Sequence, residues 1–230
     1  MTETMIKNHF DKIAKYYDNA LPSHVEEHYY LKRINLLTNL MEKGRVLDVC
    51  SGTGRISEGL IERGFNVTSL DLSINMLLTR KNVRNYQPVN GISLALPFKA
   101  NIFDMVISIA SFHHIAEKEK IKNTLFEMQR VTKKGGCIIL WDHNPLNPYW
   151  KFIMKKVPQD IGQERLIGTG ELVAPFPPKE YSYKIFRKGF IPDFAPKSLM
   201  KLFKVIEKLV ESIPLVNYFA AHNVIIIKKL

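Results

Sequence analysis

A chain of 230 residues, 46% apolar and 24% charged, carries enough core-forming side chains for one large domain and is neither disordered nor collagen-like in composition. Its 33 basic residues outnumber 22 acidic ones, giving +11 without an arginine-rich tract; that surplus suits nucleic acid, anionic lipid or an anionic metabolite and selects none of them. No apolar run reaches the ~18–20 residues of a membrane-spanning helix, and the polar opening MTETMIKNHFDK is unlike a signal peptide. The two cysteines, Cys50 and Cys137, sit in apolar runs and read as core thiols of a cytoplasmic protein.

In chain order, residues 1–40 read as helices rich in tyrosine and histidine, a helical cap ahead of the first strand. A core over 41–142 follows. Arg45–Cys50 is a strand and Arg55–Arg63 a helix closed by Gly64; Asn66–Asp71 is a strand and Ile74–Lys81 a helix. A weaker strand near Val89–Ala95 precedes the buried strand Phe103–Ser111, and Glu117–Thr132 is a helix with Ile121, Leu125, Met128 and Val131 at helical spacing. Gly135 and Gly136 punctuate before strand Cys137–Asp142. Residues 143–180, rich in proline, glycine and aromatics, form an excursion of a length reserved for lids. Over 181–230 the chain is expected to complete the sheet. Lys179–Lys188 reads as a helix and Phe190–Phe194 as a short strand. Ser198–Ile213 is an amphipathic helix whose apolar face packs on the sheet, and His222–Lys229 is the last strand. Strands alternating with helices imply a single α/β domain with a mostly parallel sheet, right-handed crossovers and helices on both faces.

The sharpest feature is Asp48-Val49-Cys50-Ser51-Gly52-Thr53-Gly54, between the first strand and its helix. Glycines there allow positive φ and close approach of a ligand to the backbone, and the helix start favours negative charge. Dinucleotide-binding domains begin similarly, but here Ser57 stands where their third glycine is expected. Asp71, closing the second strand, suits the hydroxyls of an adenosine ribose; Ser73 is available as the helix cap, which frees Asp71 for a ligand.

The segments VLDVCSGTGRIS, VTSLDLSINML, LPFKANIFDMVISIASFHHI and VTKKGGCIIL, in this order and spacing across 45–142, resemble the class I S-adenosylmethionine-dependent methyltransferases. Phe10-Asp11-Lys12-Ile13-Ala14-Lys15-Tyr16-Tyr17-Asp18 resembles the FDxxAxxYD opening of the ubiquinone/menaquinone-biosynthesis type. The resemblance implies a Rossmann-like seven-stranded sheet, S-adenosyl-L-methionine as cofactor and methyl transfer to a small molecule. It assigns Asp48, Cys50, Ser51, Gly52 and Gly54 to the methionine end, Asp71 to the ribose and Leu72 to the adenine. Ala110 and Ser111 fall where the methyl group is exposed to the acceptor. Two positions depart from the family: Cys50 replaces a common glycine, and Gly91-Ile92-Ser93 lacks the usual carboxylate near the adenine amino group, leaving the Ser93 hydroxyl or backbone groups to substitute.

Methyl transfer from a sulfonium needs positioning first, and a general base only where the acceptor must lose a proton. The base candidates are His113 and His114 after the fourth strand, whose side chains should diverge, and His143 after the fifth. Tyr16, Tyr17, His24, His28, Tyr29 and Tyr30 are candidates to line an acceptor pocket from the cap. Trp150 and Phe152 with Lys151, Lys155 and Lys156 suit an anionic or lipid-like acceptor, the bland reading being a solvated helix face. The seven histidines form no metal-ligand spacing, so no metal is expected. Asn147-Pro148-Tyr149-Trp150 follows the fifth strand, not the fourth as in DNA amino-methylating enzymes, so DNA is not expected as partner. An RNA methyltransferase and a non-catalytic cofactor-binding protein, peripheral on a membrane or on a partner, stand as alternatives.

Ile92 cannot accept a hydrogen bond, so Ile92→Asp is expected to retain or improve cofactor affinity in titration calorimetry. A large loss in a stable variant contradicts the alignment of this segment.

Overall fold

The computed structural model describes residues 2–115, 117–154 and 159–230. Lys155 and Lys156, candidates above, lie outside the described residues. The helices are α1 (Glu3–Ile13), α2 (Ser23–Leu40), α3 (Arg55–Ile61), α4 (Ile74–Leu78), α5 (Lys118–Val131), α6 (Pro148–Ile153), α7 (Thr169–Val173), α8 (Met200–Ser212) and α9 (Pro214–Asn217). The strands are β1 (Arg45–Val49), β2 (Asn66–Asp71), β3 (Gln87–Asn90), β4 (Phe103–Ile109), β5 (Thr132–His143), β6 (Tyr181–Lys188) and β7 (His222–Lys229). They form one sheet in the order β3-β2-β1-β4-β5-β7-β6. All neighbours pair in parallel except β7, which runs antiparallel to both β5 and β6. The chain thus has the seven-stranded, mostly parallel Rossmann-like sheet expected from its sequence.

Parallel strands covered on both faces are mostly apolar, and β1 and β4 are so apart from Arg45, Asp48, Asp104 and Ser108. Val46, Met105 and Ile107 meet Ile34 and Leu37 of α2 and Leu60 of α3 on one face. Leu47, Val49 and Val106 meet Ile121, Leu125, Met128 and Val131 of α5 on the other, together with Ile167, Leu172 and Phe176 from the excursion. Strand order reverses between β1 and β4, which opens a crevice beyond their carboxyl ends. Both chains leave that edge in the left-handed region, Cys50 at φ 58° and Ala110 at φ 53°. For residues with a Cβ this costs about 1–2 kcal/mol each, strain held by the strands on either side.

Three expectations for the last 50 residues fail. Lys179–Lys188 is no helix: Tyr181–Lys188 is edge strand β6, paired along its length with β7. Its aromatic and β-branched residues favour a strand, but only Tyr181 is buried, so the period-2 signal is faint. Phe190–Phe194 is irregular, because Gly189 turns the chain at φ 92° and Pro192 has no N–H for a ladder. The amphipathic helix forms, as α8, but its buried residues are Met200 and Glu207 and its leucines face outward. Polar anchoring overrides the apolar seam there. Glu207 accepts hydrogen bonds from His28 at 2.8 Å and from the Phe190 N–H at 2.8 Å, and pairs with Lys32 at 2.7 Å. Glu211 pairs with Lys188 and Lys32 and accepts from the Gly189 N–H.

Burial works against the charge of Glu207, but His28, Lys32 and the Phe190 N–H outweigh it and hold its pKa down at about 2. Its contribution to stability is therefore complete above the ordinary carboxyl value and is lost as pH falls from about 4.5 toward 2. Glu207→Ala, which strands a cation and an N–H, should cost about 2–4 kcal/mol in denaturant unfolding at pH 7. Much of that difference should vanish near pH 3.

Candidate active site

The glycine loop leaves β1 and is tied back by Asp71. One carboxylate oxygen accepts from the Gly52 N–H and the other from the Ser73 N–H, both at 2.8 Å. Ser73 caps α4 through its hydroxyl, which accepts from the Met76 N–H, so Asp71 is not spent on capping. Burial raises the Asp71 pKa against these bonds. Asp48 lies deeper, 2% exposed, with Ser57 donating to it at 2.8 Å; burial pushes it up to about 7. Gly52, at φ 57°, has open space where a Cβ would stand, a cradle at which a ligand can approach the backbone. Gly54 instead lies against the Tyr86 hydroxyl, so its smallness serves packing.

Three cavities meet at the crevice. The first is bounded by Cys50, Gly52, Asp71, Leu72, Ile92 and Ser93, with Ala110, Ser111 and Phe10 of α1 closing it. A second lies beside the loop, among Asp48, Cys50, Ser51, Arg33 and Ala110. A third runs under α2 between Tyr29, Arg33, His113, His143, Trp150 and Asp160. Tyr17 and Ala110 line all three, which makes that point their junction. Ser93 lines the first cavity, with its hydroxyl 3.1 Å from Thr124, and Ser111 with its hydroxyl 2.5 Å from Ser108.

The histidine candidates converge on the third cavity and the first. His113 Nδ1 lies 2.6 Å from Asp142, which also accepts from the His113 and His143 backbone N–H groups. With Nδ1 so engaged, Nε2 is the free nitrogen, 3.9 Å from Asp160. Burial pulls the His113 pKa down. The charge and hydrogen bond of Asp142, with Asp160 and Glu164 nearby, outweigh it and leave His113 above an ordinary imidazole. Against expectation, His114 does not diverge: its ring centroid lies 4.0 Å from that of His113, while it also lines the first cavity edge-on to Phe10, and burial with the neighbouring His113 drops it to about 4. His143 stacks on Trp150 at 3.7 Å, and burial keeps it neutral.

Tyr16, His24, His28, Lys151 and Phe152 fall outside these three cavities. Tyr16 is 72% exposed, and His28 is committed to Glu207; the chain turns in a short 3-10 segment at 17–19, which sends Tyr17 inward and leaves Tyr16 in solvent. Tyr29 and Trp150 do line the third cavity, with the Tyr29 hydroxyl donating to the Ile191 carbonyl. Sequence reasoning missed Arg33, Asp160 and His222. Arg33 lines two cavities with its buried Nε unpartnered among the described residues, and burial lowers its pKa. His222, from β7, is pushed down to about 3 by burial and Arg33. The expectation of no metal rested on spacing alone. Folding nevertheless gathers ligand atoms of His113, His114 and Asp160, and of His113, Asp142 and His143, within 4.8 Å of one another.

Residues 47–140 match the sequence family described as a methyltransferase domain. A demethylmenaquinone methyltransferase of Renibacterium salmoninarum is 32% identical over 158 residues, 65% of this chain and 65% of that protein. The ubiquinone/menaquinone biosynthesis C-methyltransferase UbiE of Wigglesworthia glossinidia brevipalpis is 32% identical over 166 residues, 66% of this chain and 64% of that protein. The chain thus spans just under two thirds of the length of these curated relatives. Among solved structures, a SAM-dependent methyltransferase of Thermotoga maritima superposes with a TM-score of 0.69 at 16% identity, covering 97% of this chain and 99% of its own, a likeness of fold. With the glycine loop and Asp71 at the strand switch point, residues 47–140 form a methyltransferase domain of the class I S-adenosylmethionine-dependent type.

Proposed function

We propose that the protein transfers a methyl group from S-adenosylmethionine to a small planar acceptor carrying an acidic hydroxyl, bound in the cavity under α2. The observation that carries this is the junction at Tyr17 and Ala110, where the first cavity, bounded by Gly52, Asp71 and Leu72, meets a cavity walled by aromatic rings and the buried His113–Asp142 pair. The residues present fit the cofactor. Asp71 faces the first cavity with a carboxylate for the ribose hydroxyls, Leu72 and Ile92 give apolar walls for adenine, and the open space at Gly52 admits the chain of the methionine. Arg33, a half-buried cation whose Nε is buried and which has no carboxylate partner among the described residues, suits the methionine carboxylate. When bound, the cofactor supplies an electrophilic methyl group on a sulfonium, an activated leaving group.

The chain's own residues would do the rest. Tyr17, Tyr29 and Trp150 hold a flat ring, exclude water and set it in line with the junction. His113 takes the acceptor's proton at Nε2, and Asp142 holds the ring in the tautomer that leaves Nε2 free and stabilises the imidazolium. The quinone-type names of the similar proteins agree with such an acceptor, whose carbon or oxygen becomes nucleophilic once the hydroxyl is ionised. Residues 1–40 and 143–180 act as the cap: Phe10, Tyr17 and Tyr29 from the first and Trp150 and Asp160 from the second wall the cavities.

Asp71→Ala should weaken binding of S-adenosylmethionine by about 1.5–3 kcal/mol in calorimetry on the folded variant. Unchanged affinity removes Asp71 from the site.

The base must be unprotonated, and the His113 pKa is raised, so kcat should climb with pH through a limb above the ordinary imidazole value of 6.5. His113→Gln should lower kcat about 10²–10⁴-fold and abolish the limb. Asp142→Asn removes the charge that raises His113, so its remaining limb should move to lower pH. Activity should survive dialysis against EDTA; loss restored by a divalent cation would recast His113 as a metal ligand.

A further inference from the structure

α8 turns Met200, Phe203, Glu207 and Glu211 to the protein. Leu199, Leu202, Ile206, Leu209 and Ile213 recur at i, i+3, i+7, i+10 and i+14, one face of a helix, and this face is in solvent: Leu202 is 55% and Leu209 60% exposed. Leu215 and Phe219, 81% and 56% exposed, continue it through α9 and the turn beyond. The opposite side holds Glu207 and Glu211, consumed by His28, Lys32 and Lys188. Lys201, Lys204 and Lys208 project between the two, exposed and without an ion pair among the described residues. Every exposed formal charge on the helix is therefore positive.

We propose that α8 and α9 dock the protein on an anionic bilayer surface. The helix would lie in the plane of the membrane, with its leucines at the acyl boundary and its lysines at the headgroup phosphates. The charge decides the occupant. A second copy packed about a two-fold axis would bring the lysine rows together with no exposed carboxylate on the helix to answer them, whereas an anionic surface neutralises them and the overall +11. The inference is independent of the methyl-transfer chemistry but has a consequence for it. Glu207 and Glu211 hold the backbone of Gly189 and Phe190, at the start of the segment that carries Asp193 into the acceptor cavity. Docking of α8 would set that wall at the lipid surface, where a membrane-dissolved acceptor is concentrated.

The test is co-sedimentation of the full chain with vesicles of equal parts phosphatidylcholine and phosphatidylglycerol, against vesicles of phosphatidylcholine alone. The chain should bind the anionic vesicles about tenfold or more tightly than the neutral ones, and high salt should release it. Lys201→Gln/Lys204→Gln/Lys208→Gln should remove most of this preference. Leu202→Glu/Leu209→Glu should abolish binding while leaving the melting temperature and S-adenosylmethionine affinity unchanged, since both side chains lie outside the core and the cofactor cavity. Equal binding of this variant and the wild type, or equal binding to both vesicles, overturns the proposal. So does absence of vesicle binding, and a concentration-dependent dimer by light scattering that Leu202→Glu/Leu209→Glu dissociates would then assign the face to a second copy.

Discussion

The parallel pairing of β1 with both β2 and β4 is the constraint on which the site depends. It brings the ends of three strands to one edge, so that Cys50, Asp71 and Ala110 stand around one crevice though up to 60 residues separate them in the chain. The turns out of β1 and β4 have no regular route, and both use left-handed backbone at residues with side chains. Such strain persists only where packing over-determines it, and here the fully buried strands on either side do so. The strain falls where backbone atoms must face a ligand rather than a neighbouring strand.

Electrostatics in the acceptor cavity follow from the same edge. β4 delivers His113 and His114, β5 delivers Asp142 and His143, and β7 delivers His222, all buried but the half-buried His143. Four imidazoles in so small a volume cannot all carry charge, and one carboxylate decides which does. Asp142 touches His113 alone among the rings, so His113 gains proton affinity while His114, His143 and His222 lose it. The cluster thus separates one titratable group from three neutral walls, a division of roles that residue type alone does not reveal.

The carboxyl-terminal helix inverts the ordinary rule. It is held by two carboxylates anchored to α2 and to the 188–190 turn and by Met200 and Phe203 packed with Val25, Tyr29 and Ile191, which leaves its leucines largely exposed. Ion pairs this well supplied with hydrogen bonds supplement a small apolar contact. The same anchoring joins the amino-terminal cap to the end of the chain, since His28 and Lys32 belong to α2, which also carries Tyr29 and Arg33 into the cavity.

The strands of the core, the glycine loop, the Ser73 cap and the position of Asp71 were legible in the sequence, because each depends on local chemistry: apolar runs, a turn needing positive φ, a hydroxyl at a helix start. Long-range pairing was not legible. Tyr181–Lys188 became a strand because β7 offered it an edge, and no local period announced that partner. Ser198–Ile213 was rightly read as amphipathic, yet which side faced the protein was settled by ion pairs to residues 175 and 179 positions earlier. Likewise His113 was visible as a candidate, but its difference from His114 and His143 came from Asp142, Asp160 and the cavity around them. Local propensity writes the elements and the loop; the tertiary structure alone decides which buried charges meet, because Coulomb and hydrogen-bond energies depend on distance in space and not on separation along the chain.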